Sequence, residues 1–192
     1  SLYLAEQQSM GIGQHKKVWH SPLCGNIYAT YVLKVNHSNL FSIAFFSVAT
    51  ALAVRRTLTE KLPNKPITIK WPNDIMIHDK KVAGLIIQSE SNRRNIILRI
   101  GIGINVNLQV DPMHNITQPW TSLSRENNQH FDPNEIAIRL SRSILTLFSQ
   151  LSSQTNRLKF INEYNQFSYQ INQLMATSDE QIKGYFRGID NN

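Results

Sequence analysis

The chain has 192 residues, 41% of them hydrophobic, which is enough for one substantial core and a small appended unit. No apolar run approaches the ~20 residues that cross a bilayer, and the single cysteine, Cys24, cannot form an internal disulfide, so the reading is a soluble cytoplasmic protein. The formal charge of +7 would suit nucleic acid, but the basic residues are scattered, Arg55-Arg56, Lys80-Lys81 and Arg93-Arg94 are only pairs, and no nucleic-acid-binding signature accompanies them.

In chain order, LYLAEQQ at 2–8 reads as a short strand, and 9–26 as a loop rich in glycine and lysine. IYATYVLKV at 27–35 reads as a strand, followed by a long apolar helix over about 40–62 capped by Ser38 or Asn39 and ended by Pro63 and Pro66. The stretch 67–90 reads as a hairpin: ITIKW, a bend at Pro72-Asn73-Asp74, IMI, the polar HDKK connection, then VAGLIIQSE. A long strand, IILRIGIGINVN, follows Ser91–Asn95, and then a proline-containing loop reaches Trp120. Asp132-Pro133-Asn134-Glu135 has the acid, the proline and the capping-box glutamate that open a helix, expected to run to about Gln154. A shorter helix is expected over 157–167, and QIKGYFRGIDNN reads as strand. Strands interleaved with helices place the chain in the α/β or α+β class.

The long strand carries the clearest physical message. Period-two alternation puts Ile96, Leu98, Ile100, Ile102, Ile104 and Val106 on one face, a wall suited to packing on helices. The other face carries Ile97, Arg99, Gly101, Gly103, Asn105 and Asn107. Glycines inside a strand mark a close approach, so a flat ligand is expected on the bare patch, held at its edge by Asn105. In the loop, Gly11-Ile12-Gly13 followed by Gln14, His15, Lys16 and Lys17 combines small residues with cations, as an anion such as phosphate requires. Neither a dinucleotide fingerprint nor a Walker A pattern is present, and the six histidines show no metal-ligand spacing.

Taken together, AEQQSMGIGQHKKVWHSP (5–22), KWPNDIMIHDKKVAGLI (70–86) and GIGINVN (101–107) closely resemble the catalytic domain of biotin protein ligases, in order and in separation. The resemblance implies an α+β fold in which a mixed or antiparallel central sheet packs against helices. It places the catalytic domain at 1–168 and, from GYFRGIDNN, the truncated start of a small C-terminal SH3-like β-barrel at 169–192. It further implies that biotin and ATP with Mg²⁺ give biotinyl-5′-AMP, from which biotin passes to a lysine of a biotin carboxyl carrier protein. A homodimer is compatible with it. Lys81 matches the lysine that contacts carboxylate and phosphate; Lys70 and Asp74 match positions for phosphate and magnesium. Gln8, Gly11, Ile12, Gly13 and Gly84 match biotin-binding positions, while Gln14, Asn73, Asn105 and Trp120 match the ATP and adenylate site. Relatives carry arginines where this chain has Ile12 and Gln14, and the Ser/Thr-Thr-Asn segment that precedes the loop in the family is not in the sequence. Two alternatives share the resemblance: a lipoate or octanoate ligase of the same fold, and a non-catalytic sensor of biotinyl-AMP.

Overall fold

The computed structural model describes residues 1–23, 25–36, 43–91, 95–110, 116–176 and 181–190. Eight strands and four α-helices are described, in the order β1 (Leu2–Ala5), β2 (Ile27–Asn36), α1 (Ile43–Lys61), β3 (Ile67–Lys70), β4 (Asp74–Ile77), β5 (Lys80–Ser91), β6 (Asn95–Ile104), α2 (Leu123–Asn127), α3 (Pro133–Gln150), α4 (Gln154–Gln166), β7 (Leu174–Ala176) and β8 (Lys183–Tyr185). Six strands form one antiparallel sheet in the order β1-β2-β6-β5-β4-β3, and β7 pairs with β8 in a separate hairpin. The expected α+β class with helices on an antiparallel sheet is what the chain adopts; in the stretch expected to open a C-terminal barrel, the described strands are the two of this hairpin.

The alternation read in β6 decides which face meets the helices. Ile100, Ile102, Ile104 and Val106 are 0–2% exposed and join the core with Ile27, Ala29 and Tyr31 of β2. Each fully buried side chain of this size contributes roughly 1.5–3 kcal/mol. Helix α1 joins the same core and packs on α3, α4 and strands β3 to β5. Being enclosed, it is apolar around most of its circumference, with Ala49, Leu52, Ala53, Val54 and Leu58 fully buried. Its buried threonines satisfy their hydroxyls on the preceding turn, Thr50 to the Phe46 carbonyl at 2.6 Å and Thr57 to that of Ala53 at 2.8 Å. The sheet edge at β3 is covered: Ile69 donates to the Phe167 carbonyl at 2.8 Å and accepts from Tyr169 at 2.9 Å.

Several sequence expectations change in detail. The first strand ends at Ala5 instead of reaching residue 8, and β6 ends at Ile104 before its two asparagines. Helix α3 begins as expected, with the Asp132 carboxylate accepting from the Asn134 amide at 2.9 Å, but it stops at Gln150, where a Ser153-capped turn starts α4. Glu135 does not close a capping box; it pairs with Lys61 at 2.6 Å and Arg139 at 3.0 Å. Helix α2, capped by Ser122, was not foreseen because its five residues are too few for a periodic signal. Cys24, Ser38, Asn39, Arg93-Arg94 and the Asp111-Pro112 part of the loop lie outside the described residues. No helix among those described is long and apolar enough to cross a membrane.

Candidate active site

A β-bulge positions the central lysine. In the β4–β5 ladder Asp74 faces Gly84 and Ile75 faces Ala83, but Met76 then faces Lys81, so Val82 is the extra residue. Strict alternation from Gly84 would aim Lys81 into the core beside Ala83 and Leu85. The added residue instead buries both Val82 and Ala83 and returns Lys81 to the opposite face of the sheet. There Lys81 Nζ lies 2.7 Å from Asp74 Oδ1, with side chains 12% and 18% exposed. Asn73 holds the preceding bend onto β5 at both backbone groups of Leu85. Its side-chain amide donates to the Leu85 carbonyl at 2.9 Å, and its own carbonyl accepts from the Leu85 amide at 2.8 Å.

Next to Lys81 is the bare patch of sheet, and protein side chains lie on it. A Cβ at Gly103 would stand 2.5 Å from the Trp19 indole, and one at Gly84 would stand 2.8 Å from it. The indole thus lies on Gly103, one of the two glycines where a flat ligand was expected, and on Gly84. Lys81 Nζ lies 5.1 Å from the centre of that ring, a cation–π contact. The indole Nε1 is buried and makes no hydrogen bond in the structure. Trp19 is the important residue that sequence reading passed over; the available signal was a lone tryptophan in a glycine loop and two glycines on one strand face.

The arm carrying Trp19 folds back on itself. Gln8 and Ser21, Gly11 and Trp19, and Gly13 and Lys17 are joined by backbone hydrogen bonds of 2.7–3.2 Å, around a turn of 3-10 helix at Gln14–Lys16. The Ser21 hydroxyl also donates to Gln8 Oε1 at 2.8 Å. His15 and Lys16 both adopt the left-handed conformation, with φ of 53° and 59°. Non-glycine residues adopt it at some conformational cost.

Two of the cavities that touch the indole also reach Lys81. The inner one, about 240 Å³, runs along the sheet face past Gly103, Gly101 and Ile86 and also touches Gln8, Ile12 and Gly84. The outer one, about 690 Å³, is lined by His15, Lys17, His20 and Asp74 and by Thr117 and Gln118 of the opposite loop. Both are lined by Gly13, Gln14, Trp19, Asn73 and Lys81. Lys81 thus stands where an apolar-floored compartment meets a basic-rimmed one.

Four sequence-selected residues lie outside these linings. Lys70 pairs with Asp74 in the ladder, and its Nζ sits 5.9 Å from the Tyr169 ring centre. Gly11 faces the back of the arm, where its carbonyl accepts from the Trp19 amide at 2.8 Å. Trp120 is next to the lysine through backbone, since Lys81 donates to the Pro119 carbonyl and accepts from the Thr121 amide, while its ring stacks under Arg125 at 4.5 Å. Asn105 is 7% exposed and donates to the Thr121 carbonyl at 3.0 Å, which ties the strand end to that same segment. Asn107 likewise binds Phe131 at both its backbone groups and the Gly25 carbonyl. No cluster of three or more metal-ligating side chains occurs among the described residues.

Residues 1–107 match the biotin/lipoate A/B protein ligase family. The bifunctional ligase/repressor BirA of Escherichia coli K12 is 26% identical over 190 residues, 97% of this chain; the chain spans 58% of that relative's length. The biotin–[acetyl-CoA-carboxylase] ligase of Paracoccus denitrificans is 28% identical over 97% of this chain and 79% of its own length. Among solved structures, the biotin protein ligase of Aquifex aeolicus in complex with biotin and ATP superposes with a TM-score of 0.84 at 23% identity, covering 99% of this chain and 78% of that one. The Leishmania major enzyme in complex with biotinyl-5-AMP gives 0.66 at 23% identity, covering 87% and 70%.

Proposed function

This chain belongs to the biotin/lipoate A/B protein ligase family, and on that footing we propose that it joins biotin to ATP as biotinyl-5′-AMP and passes biotin to a lysine of a biotin carboxyl carrier protein. The observation that carries the reading is the pair of cavities meeting at Lys81. Adenylation needs a carboxylate and an α-phosphate side by side, and one cation between two compartments offsets their repulsion. In the first step a biotin carboxylate oxygen attacks the α-phosphorus, the bond to the bridging oxygen breaks, and pyrophosphate leaves. In the second, the carrier lysine's neutral amine attacks the acyl carbon, AMP leaves with the bonding pair, and the surplus amine proton is released to solvent.

Gln8, Ile12, Gly13 and Gly84 surround the biotin side in this reading, while Gln14 and Asn73 stand at the junction with the nucleotide. Lys70, Gly11, Asn105 and Trp120 act from just outside: Asn105 by fixing the segment 119–121, Trp120 by presenting its indole to adenine. Asp74 is the carboxylate among the described residues that line the outer cavity. A single carboxylate already engaged by Lys81 does not form a resident metal site, but it fits magnesium arriving on the triphosphate, which typically keeps most of its ligands as phosphate and water. Such an ion would neutralise charge on the leaving pyrophosphate. Residues 1–168 form the catalytic unit and 169–192 begin the SH3-like barrel, a division supported by the separate β7–β8 hairpin. A cytoplasmic location and a second copy of the chain as partner belong to the same reading.

The test is isotopic exchange of pyrophosphate into ATP. Exchange dependent on biotin is expected. Exchange dependent on lipoate or octanoate instead would assign the site to that acid, and none with any acid would leave a binding protein.

A further inference from the structure

The three glycines of the patch are not covered by the same kind of group. Trp19, over Gly84 and Gly103, comes from the arm. Gly101 is covered from the sheet itself: a Cβ there would stand 2.7 Å from Ile86 Cγ2. The ladders arrange the face in ranks across β2, β6 and β5. Tyr28, Gly103 and Gly84 form the first; Thr30, Gly101 and Ile86 the second; Val32, Arg99 and Gln88 the third. Ranks on one face are roughly 7 Å apart, two residues of strand. Lys81 belongs to the first, since its Nζ would be 3.2 Å from a Cβ on Gly84.

The inner cavity touches all three ranks, including Thr30, Gln88 and Arg99. With a carboxylate at Lys81, the rest of an acid extends along this face and meets the Ile86 branch at the second rank. A β-branched side chain on a strand has few rotamers, and here one branch is seated on a glycine, so the wall is stiff. Beyond it the face turns polar, ending at Arg99 and its exposed partner Glu90, 2.9 Å away.

We propose that Ile86, seated on Gly101, is the specificity-determining residue that limits the length of the acid at its end remote from Lys81, and that the third rank beyond it is space a longer acid would use. The proposal deepens the ligase reading and rests on it. Biotin extends from Lys81 past the Trp19 indole to the second rank, and a substituent on its ring end would have to pass Ile86.

The experiment uses pyrophosphate exchange with two acids, biotin and biotin carrying a propyl group on a ureido nitrogen. The wild-type chain should respond to biotin and barely to the propyl derivative. Ile86→Ala should raise KM for biotin roughly tenfold, because apolar contacts at the pocket wall are lost, and should shift the ratio of kcat/KM toward the derivative by about tenfold or more. Ile86→Val, with one carbon removed, should move the ratio the same way by less. Independently of any substrate, Gly101→Ala should lower the melting temperature of the wild type and lower it far less in Ile86→Ala, because the clash is with that one branch. Biotin-dependent exchange with an unchanged acid ratio in both Ile86 variants would overturn the role of Ile86 alone. Additive melting shifts for Gly101→Ala and Ile86→Ala would overturn the contact on which that role stands. Absence of biotin-dependent exchange in the wild type would overturn the ligase reading, and this role with it.

Discussion

On the sheet, Gly84 is paired to strands on both sides, Lys81 to β4 and Ile86 to β6, and all three are backed by a core in which Val82, Ala83 and Leu85 are at most 3% exposed. The arm from Gln8 to Ser21 is joined mainly to itself, and it exposes Met10 at 83%, Ile12 at 61% and Val18 at 71%. Yet the arm supplies Trp19, which lies on that sheet. Geometry that must be accurate when charge develops is built on strands, and the part that must yield to ligands is built on a loop with few buried contacts.

The sharpest way to test this division is at its rigid side. Lys81→Ala should reduce biotin-dependent exchange by ~10²-fold or more, as removal of a preorganised charge stabiliser does. Because Asp74, 18% exposed, loses its counter-charge, the melting temperature should also fall. Near-normal exchange in this variant would remove Lys81 from the chemistry.

The junction comes next. Gly103→Ala places a methyl 2.5 Å from the Trp19 ring, so the indole must leave its seat. Overpacking of this kind costs about 1–3 kcal/mol. If the arm yields as easily as its contacts imply, the loss should appear mostly in KM for biotin, with little change in melting temperature. A large fall in melting temperature with unchanged KM would show the arm to be as rigid as the sheet.

Asn107→Ala probes a purely structural group, one that joins the strand end to Phe131 and Gly25. Leaving those buried groups unpaired should cost about 1–3 kcal/mol in stability, read by urea unfolding, without altering the acid preference in exchange. Trp120→Ala should have the smallest effect, weakening ATP binding by around tenfold through lost stacking while leaving biotin little affected. Calorimetry with each ligand alone distinguishes this from an equal loss for both, which would move Trp120 away from adenine.

Much of the fold was legible because its signals are local. The period-two pattern of β6 identified the face that meets the helices, and Asp132-Pro133 announced the start of α3 to the residue. The capping-box reading failed because Glu135 has two cations within reach, Lys61 from another helix among them, and an ion pair with them replaced the cap. Asn105 and Asn107 were assigned to a ligand-facing strand, but the ladder ends before them and their amides are consumed by loops from elsewhere in the chain.

By itself the sequence determined that a lysine-rich polar hairpin lies beside a strand with two glycines on one face, and through its motifs it named the family. Which way Lys81 points was decided only in three dimensions, because alternation counted along β5 aims it at the core and the extra residue at Val82, set by pairing with β4, reverses that. What covers the glycines was likewise decided there. An absent side chain leaves a gap visible in one dimension, but its filling, by Trp19 from more than 60 residues away or by Ile86 from the next strand, is settled by close packing among segments that carry no record of each other locally.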